Sequence, residues 1–115
     1  SSVASLSGVA YEVSYGAAKG GIDGLVRSLA REVASRGVTV NAIAPGYFDT
    51  PVNLGKPLAE KALITQNIPV GRFGRPEEVG TLAVYLASQE AAYTTGQVIS
   101  PNGAFTYGAA DLKER

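Results

Sequence analysis

Neither cysteine nor histidine occurs among the 115 residues of this chain. Without cysteine there is no disulfide framework, no thiolate nucleophile and no thiolate-based metal site. Without histidine the Ser-His-Asp triad is excluded, as are nearly all catalytic zinc geometries. Charge is sparse and balanced, with 10 Lys and Arg against 10 Asp and Glu. No basic block gives nucleic acid an electrostatic footprint. No apolar run approaches the length of a membrane span, and no charged-then-apolar signal segment opens the chain. Methionine is missing as well, and the opening Ser-Ser-Val-Ala-Ser-Leu-Ser-Gly reads like the end of a strand. The expectation is a piece of a longer protein. Any chemistry must rest on Ser, Tyr, Lys, Asp, Glu, Asn, Arg or the backbone.

With 45% hydrophobic and 17% charged residues, the composition is that of one small globular domain. The stretch from Ser14 to Gly37 organises it. A period of 3.6 places Ala18, Ile22, Leu25, Val26, Leu29 and Val33 on one helical face. Ser14 suits the N-cap, Arg31 and Arg36 suit the C-terminal end of the dipole, and Gly37 suits the left-handed C′ position. Tyr15 and Lys19 stand four residues apart, so they occupy neighbouring turns of one face. Such pairs are common on solvated helix surfaces, where they contribute little. Gly16, Gly20 and Gly24 repeat at the same spacing. Each mid-helix glycine costs roughly 1 kcal/mol relative to alanine, which points to close approach of another helix, backbone or flat ligand.

Around that helix the chain reads as alternating strand and helix. Ser1 to Val13 is a small-residue loop. Val38 to Ala44 is a nearly continuous apolar run, the pattern of a buried parallel strand, in which Asn41 must find hydrogen-bond partners. Pro45-Gly46 ends it, and Tyr47 to Pro51 forms a loop at its carboxyl end, where ligands bind in open α/β sheets. Pro57 opens a short helix running to about Asn67. Pro76-Glu77-Glu78 opens another, with Val79, Leu82, Ala83 and Leu86 on its apolar face. Arg72 and Arg75 in the preceding loop read as solvated or helix-packing charges. Gly96 precedes a second short strand, Gln97 to Ser100, closed by Pro101-Asn102-Gly103, and the tail to Arg115 lies on the surface or on a partner. This order is half of a doubly wound α/β domain.

Five blocks in sequence carry a family resemblance. Tyr15-Gly-Ala-Ala-Lys19 matches a YxxxK motif, and Ser2 stands thirteen residues before the tyrosine. Asn41-Ala-Ile-Ala-Pro45-Gly46-Tyr-Phe-Asp-Thr50 follows, then Ile68-Pro-Val-Gly-Arg72-Phe-Gly-Arg-Pro-Glu-Glu-Val79, then Thr95-Gly96-Gln-Val-Ile-Ser100. Together they resemble the C-terminal half of a short-chain dehydrogenase/reductase across essentially the whole chain, closest in flavour to 3-oxoacyl-carrier-protein reductases. Polyol and hydroxyacyl dehydrogenases of the same family share much of the pattern. The resemblance implies an α/β fold, the C-terminal half of a Rossmann-like doubly wound parallel sheet. It places residues 1–115 as the catalytic part of one such domain, whose N-terminal dinucleotide-binding half is absent from the chain.

The resemblance also implies NAD or NADP as cofactor, a small carbonyl or alcohol substrate, and a cytoplasmic homo-oligomer, tetrameric when intact, with no nucleic-acid or membrane partner. Ser2, Tyr15 and Lys19 take the family's catalytic places. Tyr15, Lys19, Pro45, Gly46, Phe48 and Thr50 take those that hold the cofactor, with Thr50 and the backbone around Phe48 at the carboxamide. Arg36 matches a rim position where carrier-protein reductases present basic residues, or simply caps its helix. Two departures stand out. The phosphate-binding glycine loop is missing, and Asn102-Gly103-Ala104 replaces a turn that carries a second glycine in many members. A non-catalytic relative, truncated or degraded and acting only in assembly, remains the alternative.

The energetics of the implied pair are sensible. A free phenol titrates near 10, and lowering it by two to three units takes roughly 3–4 kcal/mol. One ammonium at about 4–5 Å supplies roughly that much at an effective dielectric near 20. Tyr15 is then the acid/base, Lys19 its electrostatic tuner, and Ser2 a hydrogen bond to the substrate oxygen.

Overall fold

A computed structural model describes residues 13–105. Helix α1 spans Val13–Val33 and tightens into a 3₁₀ turn over Ala34–Arg36. Gly37 follows with φ 75°, donating its N–H to the Ala34 carbonyl. The left-handed cap expected there is formed, at a residue with no Cβ to clash. Ser14 is not an N-cap: the helix is already under way at Val13, which the sequence had placed in the preceding loop. The rest of that loop, residues 1–12, and the tail beyond 105 lie outside the described residues.

Strand β1 is Ala42–Ile43 and β2 is Val98–Ile99, paired in parallel with Ala42 opposite Val98. The hydrogen bonds continue past both strands. Gly96 N–H donates to Val40 O, Ala42 N–H to Gln97 O, Ala44 N–H to Ile99 O and Gly46 N–H to Pro101 O. Parallel direction is as expected, but the buried strand from Val38 to Ala44 is not. Val38 is 48% exposed, residues 39–43 are half-buried, and only Ala44 is fully enclosed. A parallel strand is buried when neighbours flank it and helices cover both faces. Among the described residues the sheet has two strands, and that condition is unmet.

Asn41 is satisfied as expected. Its Nδ2 donates to Thr94 O at 3.0 Å and its Oδ1 accepts from Gln97 N–H at 3.1 Å. Thr95 Oγ1 accepts the Val40 N–H nearby, so the two strand entrances are stitched by side chains.

Three helices fill the crossover between the strands: α2 (Pro51–Leu54), α3 (Leu58–Gln66) and α4 (Pro76–Leu86). The short α2 begins within the stretch expected to be loop. Pro57 stands at the N-cap of α3, and Pro76 at the first position of α4 with Glu77 and Glu78 in the first turn. A 3₁₀ turn, Gln89–Ala91, leads on to β2 and buries Ala91.

The apolar face of α1 divides. Ala30 and Val33 are buried, and a Cβ on Gly96 would stand 3.4 Å from the Ala30 methyl. Asp23 shares that buried side. Ile22, Leu25 and Leu29, expected on the same face, are exposed, Leu25 to 64%. The helix packs on the chain along one edge of its apolar stripe. Gly20, Gly21 and Gly24 have open space where a Cβ would be, so nothing described approaches them closely.

The main aromatic core lies beyond the carboxyl ends of the strands. Ile68, Phe73 and Phe105 form it, with Tyr47 and Ile64 packed against them. Tyr47 meets Phe105 edge-on at 5.4 Å between ring centroids and tilts against Phe73 at 5.7 Å. Such edge contacts add about 0.5–1.5 kcal/mol to the burial itself. Lys61 Nζ sits over the Phe73 ring, 5.3 Å from its centroid.

Candidate active site

The loop leaving β1 begins with Pro45 and Gly46. Gly46 is needed where it stands, because a Cβ there would lie 2.8 Å from the Asn102 Cβ and 2.9 Å from its Cα. The turns that follow β1 and β2 therefore touch, as glycine permits and alanine would not.

Phe48 is buried, 7% exposed, with its ring against Gly74. A Cβ on Gly74 would fall 2.6 Å from the ring's Cδ2. Two backbone bonds fix this register. Gly74 N–H donates to Tyr47 O at 2.9 Å, and Asp49 N–H donates to Gly74 O at 2.8 Å, a single parallel bridge outside the sheet. The Phe48 carbonyl accepts Thr50 N–H at 2.8 Å and Asn53 Nδ2 at 2.7 Å. Thr50 is exposed at the N-cap of α2, yet its side chain makes no capping bond. Its hydroxyl is thus left for another partner at the carboxyl end of β1.

Arg72 and Glu78 brace the turn that carries Gly74. The guanidinium grips the carboxylate with two prongs, Nη1–Oε1 at 2.7 Å and Nη2–Oε2 at 3.0 Å. Nη1 also donates to Phe73 O, and Glu78 Oε1 also accepts the Arg75 N–H at 2.8 Å. The sequence reading of Arg72 as a solvated or helix-packing charge holds, and the structure sharpens it: the side chain is 44% exposed and its planar fork faces a carboxylate in the first turn of α4, a specific pair. The bond from Arg72 holds the Glu78 carboxyl down to about 2, aided by the Arg75 N–H, against an ordinary glutamate value of 4.5. The same bond raises the Arg72 guanidinium.

Between the Tyr47–Phe48 loop, the Pro101–Gly103 turn and the Arg72–Glu78 pair opens a cleft of about 170 Å³. Of the residues expected in the site, Pro45, Gly46, Phe48 and Thr50 share the loop that borders it. Tyr15 and Lys19 lie on α1, one turn apart along its backbone, and Ser2 lies outside the described residues. Asn53, Arg72, Gly74, Glu78 and Asn102 support the loop and were not expected in that role. Among the described residues no cluster of three or more Asp and Glu could hold a metal ion, and no helix is long and apolar enough to cross a membrane.

A family model described as enoyl-(acyl carrier protein) reductase matches residues 1–106. The chain belongs to the short-chain dehydrogenase/reductase family. Among similar members, a 3-oxoacyl-(acyl-carrier-protein) reductase of Vibrio harveyi is 46% identical over 102 residues, which cover 89% of this chain and 42% of that protein. A counterpart in Thermotoga maritima is 42% identical, over 90% of this chain and 42% of its own length. Nodulation protein G of Azospirillum brasilense is 44% identical, over 93% and 44%. The chain therefore spans about two fifths of the length of these relatives. As a short-chain dehydrogenase/reductase its fold is of the α/β class, in keeping with the helices and small parallel sheet described above.

Proposed function

We propose that this chain forms the C-terminal, catalytic part of a nicotinamide-dependent oxidoreductase that interconverts a carbonyl and a secondary alcohol, with a 3-oxoacyl thioester as substrate. The observation that carries this reading is the family match over residues 1–106, which takes in Ser2, Tyr15, Lys19 and Thr50. In this reading residues 1–115 complete a Rossmann-like, doubly wound sheet whose dinucleotide-binding half precedes them, and the intact protein is a cytoplasmic homo-oligomer.

The loop after β1 fits the nicotinamide end of NAD or NADP. Thr50 offers an exposed hydroxyl uncommitted to capping, on a loop whose backbone is fixed by the Gly74 bridge. Lys19, Pro45, Gly46, Phe48 and Thr50 would hold the ring and its ribose, with Tyr15 alongside. When bound there, a reduced nicotinamide would supply the hydride that the carbonyl carbon needs. Tyr15 delivers the matching proton to the carbonyl oxygen, so that C=O becomes CH–OH. Lys19 lowers the phenol toward neutral pH, and Ser2 donates a hydrogen bond to the substrate oxygen as negative charge grows on it.

Tyr15→Phe tests the assignment in the longer enzyme, because it removes the proton donor and keeps the ring. General acid catalysis contributes about 10²–10⁴-fold, so turnover should fall by at least the lower figure while cofactor affinity holds. Lys19→Ala should damage both turnover and affinity. A Tyr15→Phe enzyme keeping more than roughly a tenth of its turnover would be incompatible with a 10²-fold role for the phenol.

A second reading has its own observation. The uncovered Ile22, Leu25 and Leu29 form an apolar strip on α1, and the open Gly20, Gly21 and Gly24 lie on the adjoining side of the same helix, surfaces that an assembly module without catalysis would also need. Carbonyl-dependent oxidation of NADH or NADPH by the intact protein separates the two.

A further inference from the structure

The Arg72–Glu78 pair takes no part in the proposed chemistry, yet it anchors the turn whose Gly74 makes the backbone bridge to the Phe48–Thr50 loop. Glu78 binds both ends of the 72–75 turn, through the Arg72 fork and through the Arg75 N–H. Arg72 adds a bond to the carbonyl of Phe73 inside the same turn. Between these anchors sits Gly74, which exchanges hydrogen bonds with Tyr47 and Asp49 and takes the Phe48 ring against its bare Cα. The next link is Thr50, whose N–H is held by the Phe48 carbonyl. A displacement of the 72–75 turn therefore carries through rigid backbone bonds to Thr50. Neither strand hydrogen-bonds to residues 47–50, so the sheet does not fix this loop in place of the bridge.

We infer that Arg72 is a positioning residue: clamped on Glu78, it holds the Gly74 bridge that presents Phe48 and Thr50 to the nicotinamide end of the cofactor. This rests on the reading of the loop given above. It assigns Arg72 an effect confined to one half of a dinucleotide, the half that reaches residues 48–50.

The test compares binding of NADH and NADPH with binding of ADP-ribose and 2′-phospho-ADP-ribose, which lack the nicotinamide, in the longer protein. Arg72→Lys keeps the charge but loses the two-pronged geometry. It should weaken NADH or NADPH binding roughly tenfold, as a ligand-holding group shifted by a fraction of an ångström does, and leave the fragments unchanged. Thr50→Val, run beside it, should produce the same selective loss. If Thr50→Val is selective and Arg72→Lys is not, the positioning role is wrong while the loop reading stands. If Thr50→Val is itself without selective effect, the loop reading fails and the inference with it. Equal weakening of whole cofactor and fragment by Arg72→Lys marks a merely structural role and overturns the inference too. Should Arg72→Lys fail to fold, Glu78→Gln carries the same comparison, since it keeps an acceptor for the Arg75 N–H and weakens only the charge-assisted fork.

Discussion

The turn after β2 offers a sharp test of the backbone reasoning, because two adjacent residues in it have positive φ and only one is glycine. Gly103 has φ 60° and Ala104 has φ 69°. For an L-residue the left-handed conformation costs roughly 1–2 kcal/mol, through contact between Cβ and the carbonyl. Ala104 tolerates it because its N–H is held by Asn102 Oδ1 at 2.9 Å, and the Phe105 N–H that follows by Asn102 O at 2.9 Å. Ala104→Gly should remove that strain. Against it stands the greater freedom of glycine in the unfolded chain, about 0.4–1 kcal/mol. The net is a stabilisation of about 0.5–1 kcal/mol, from a change that adds no contact. Gly103→Ala should do the reverse. Its Cβ would meet Ile68 Cγ2 at 2.9 Å and Val70 Cβ at 3.3 Å, on top of the same strain. Overpacking of this kind costs about 1–3 kcal/mol, so the net loss is roughly 1–4 kcal/mol. Urea unfolding reads both. With a slope of about 1–3 kcal/mol per molar, Ala104→Gly should raise the midpoint by a few tenths of a molar and Gly103→Ala should lower it further than that. An Ala104→Gly protein with an unchanged or lower midpoint would falsify the claim that this turn stores strain.

Two other outcomes are expected. Glu78 sits at about 2 in the folded chain against 4.5 unfolded, so its stabilisation is complete above 4.5 and is lost as pH falls toward 2. Urea midpoints across that window should fall more steeply for wild type than for Glu78→Gln; parallel curves would show that the pair adds no linked stability. The open face of α1 should mediate association: Gly24→Leu, whose Cβ meets nothing within 4 Å among the described residues, should lower the oligomeric mass in sedimentation without unfolding the protein, and an unchanged mass would remove the face from the interface.

Much of this molecule could be read from local signals, and the reason is physical. Gly37 ends α1 as expected because a left-handed C′ residue is a property of that position alone. Pro76 with Glu77 and Glu78 starts α4 because a missing N–H and two carboxylates suit a helix N-terminus whatever surrounds it. Asn41 was legible because a polar amide in an apolar run has to be paired, and Thr94 and Gln97 pair it. What escaped depends on neighbours distant in sequence. The extent of β1 and its half-exposure follow from how many strands flank it. The split stripe of α1 follows from which edge of the helix finds a partner, and a period of 3.6 cannot distinguish the edges.

The site divides along the same line. The segment from Pro45 to Thr50 stood out by motif, yet its shape is set by Gly74 and by a carboxylate four residues further on. A bridge between two irregular segments has no periodicity to betray it, and an Arg–Glu pair six residues apart across a turn matches no helical spacing. The signal available was the glycine itself. Gly74 is flanked by Phe73 and by Arg75-Pro76, and a residue without a side chain between a buried ring and a helix start implies that something lies flat upon it. That something is Phe48, the residue to which the family resemblance gives a backbone role at the cofactor. The bare Cα of Gly74 thus joins the fold's aromatic core to the loop that would hold the cofactor, so a stability variant at Gly74 and a binding variant at Thr50 should prove coupled rather than additive.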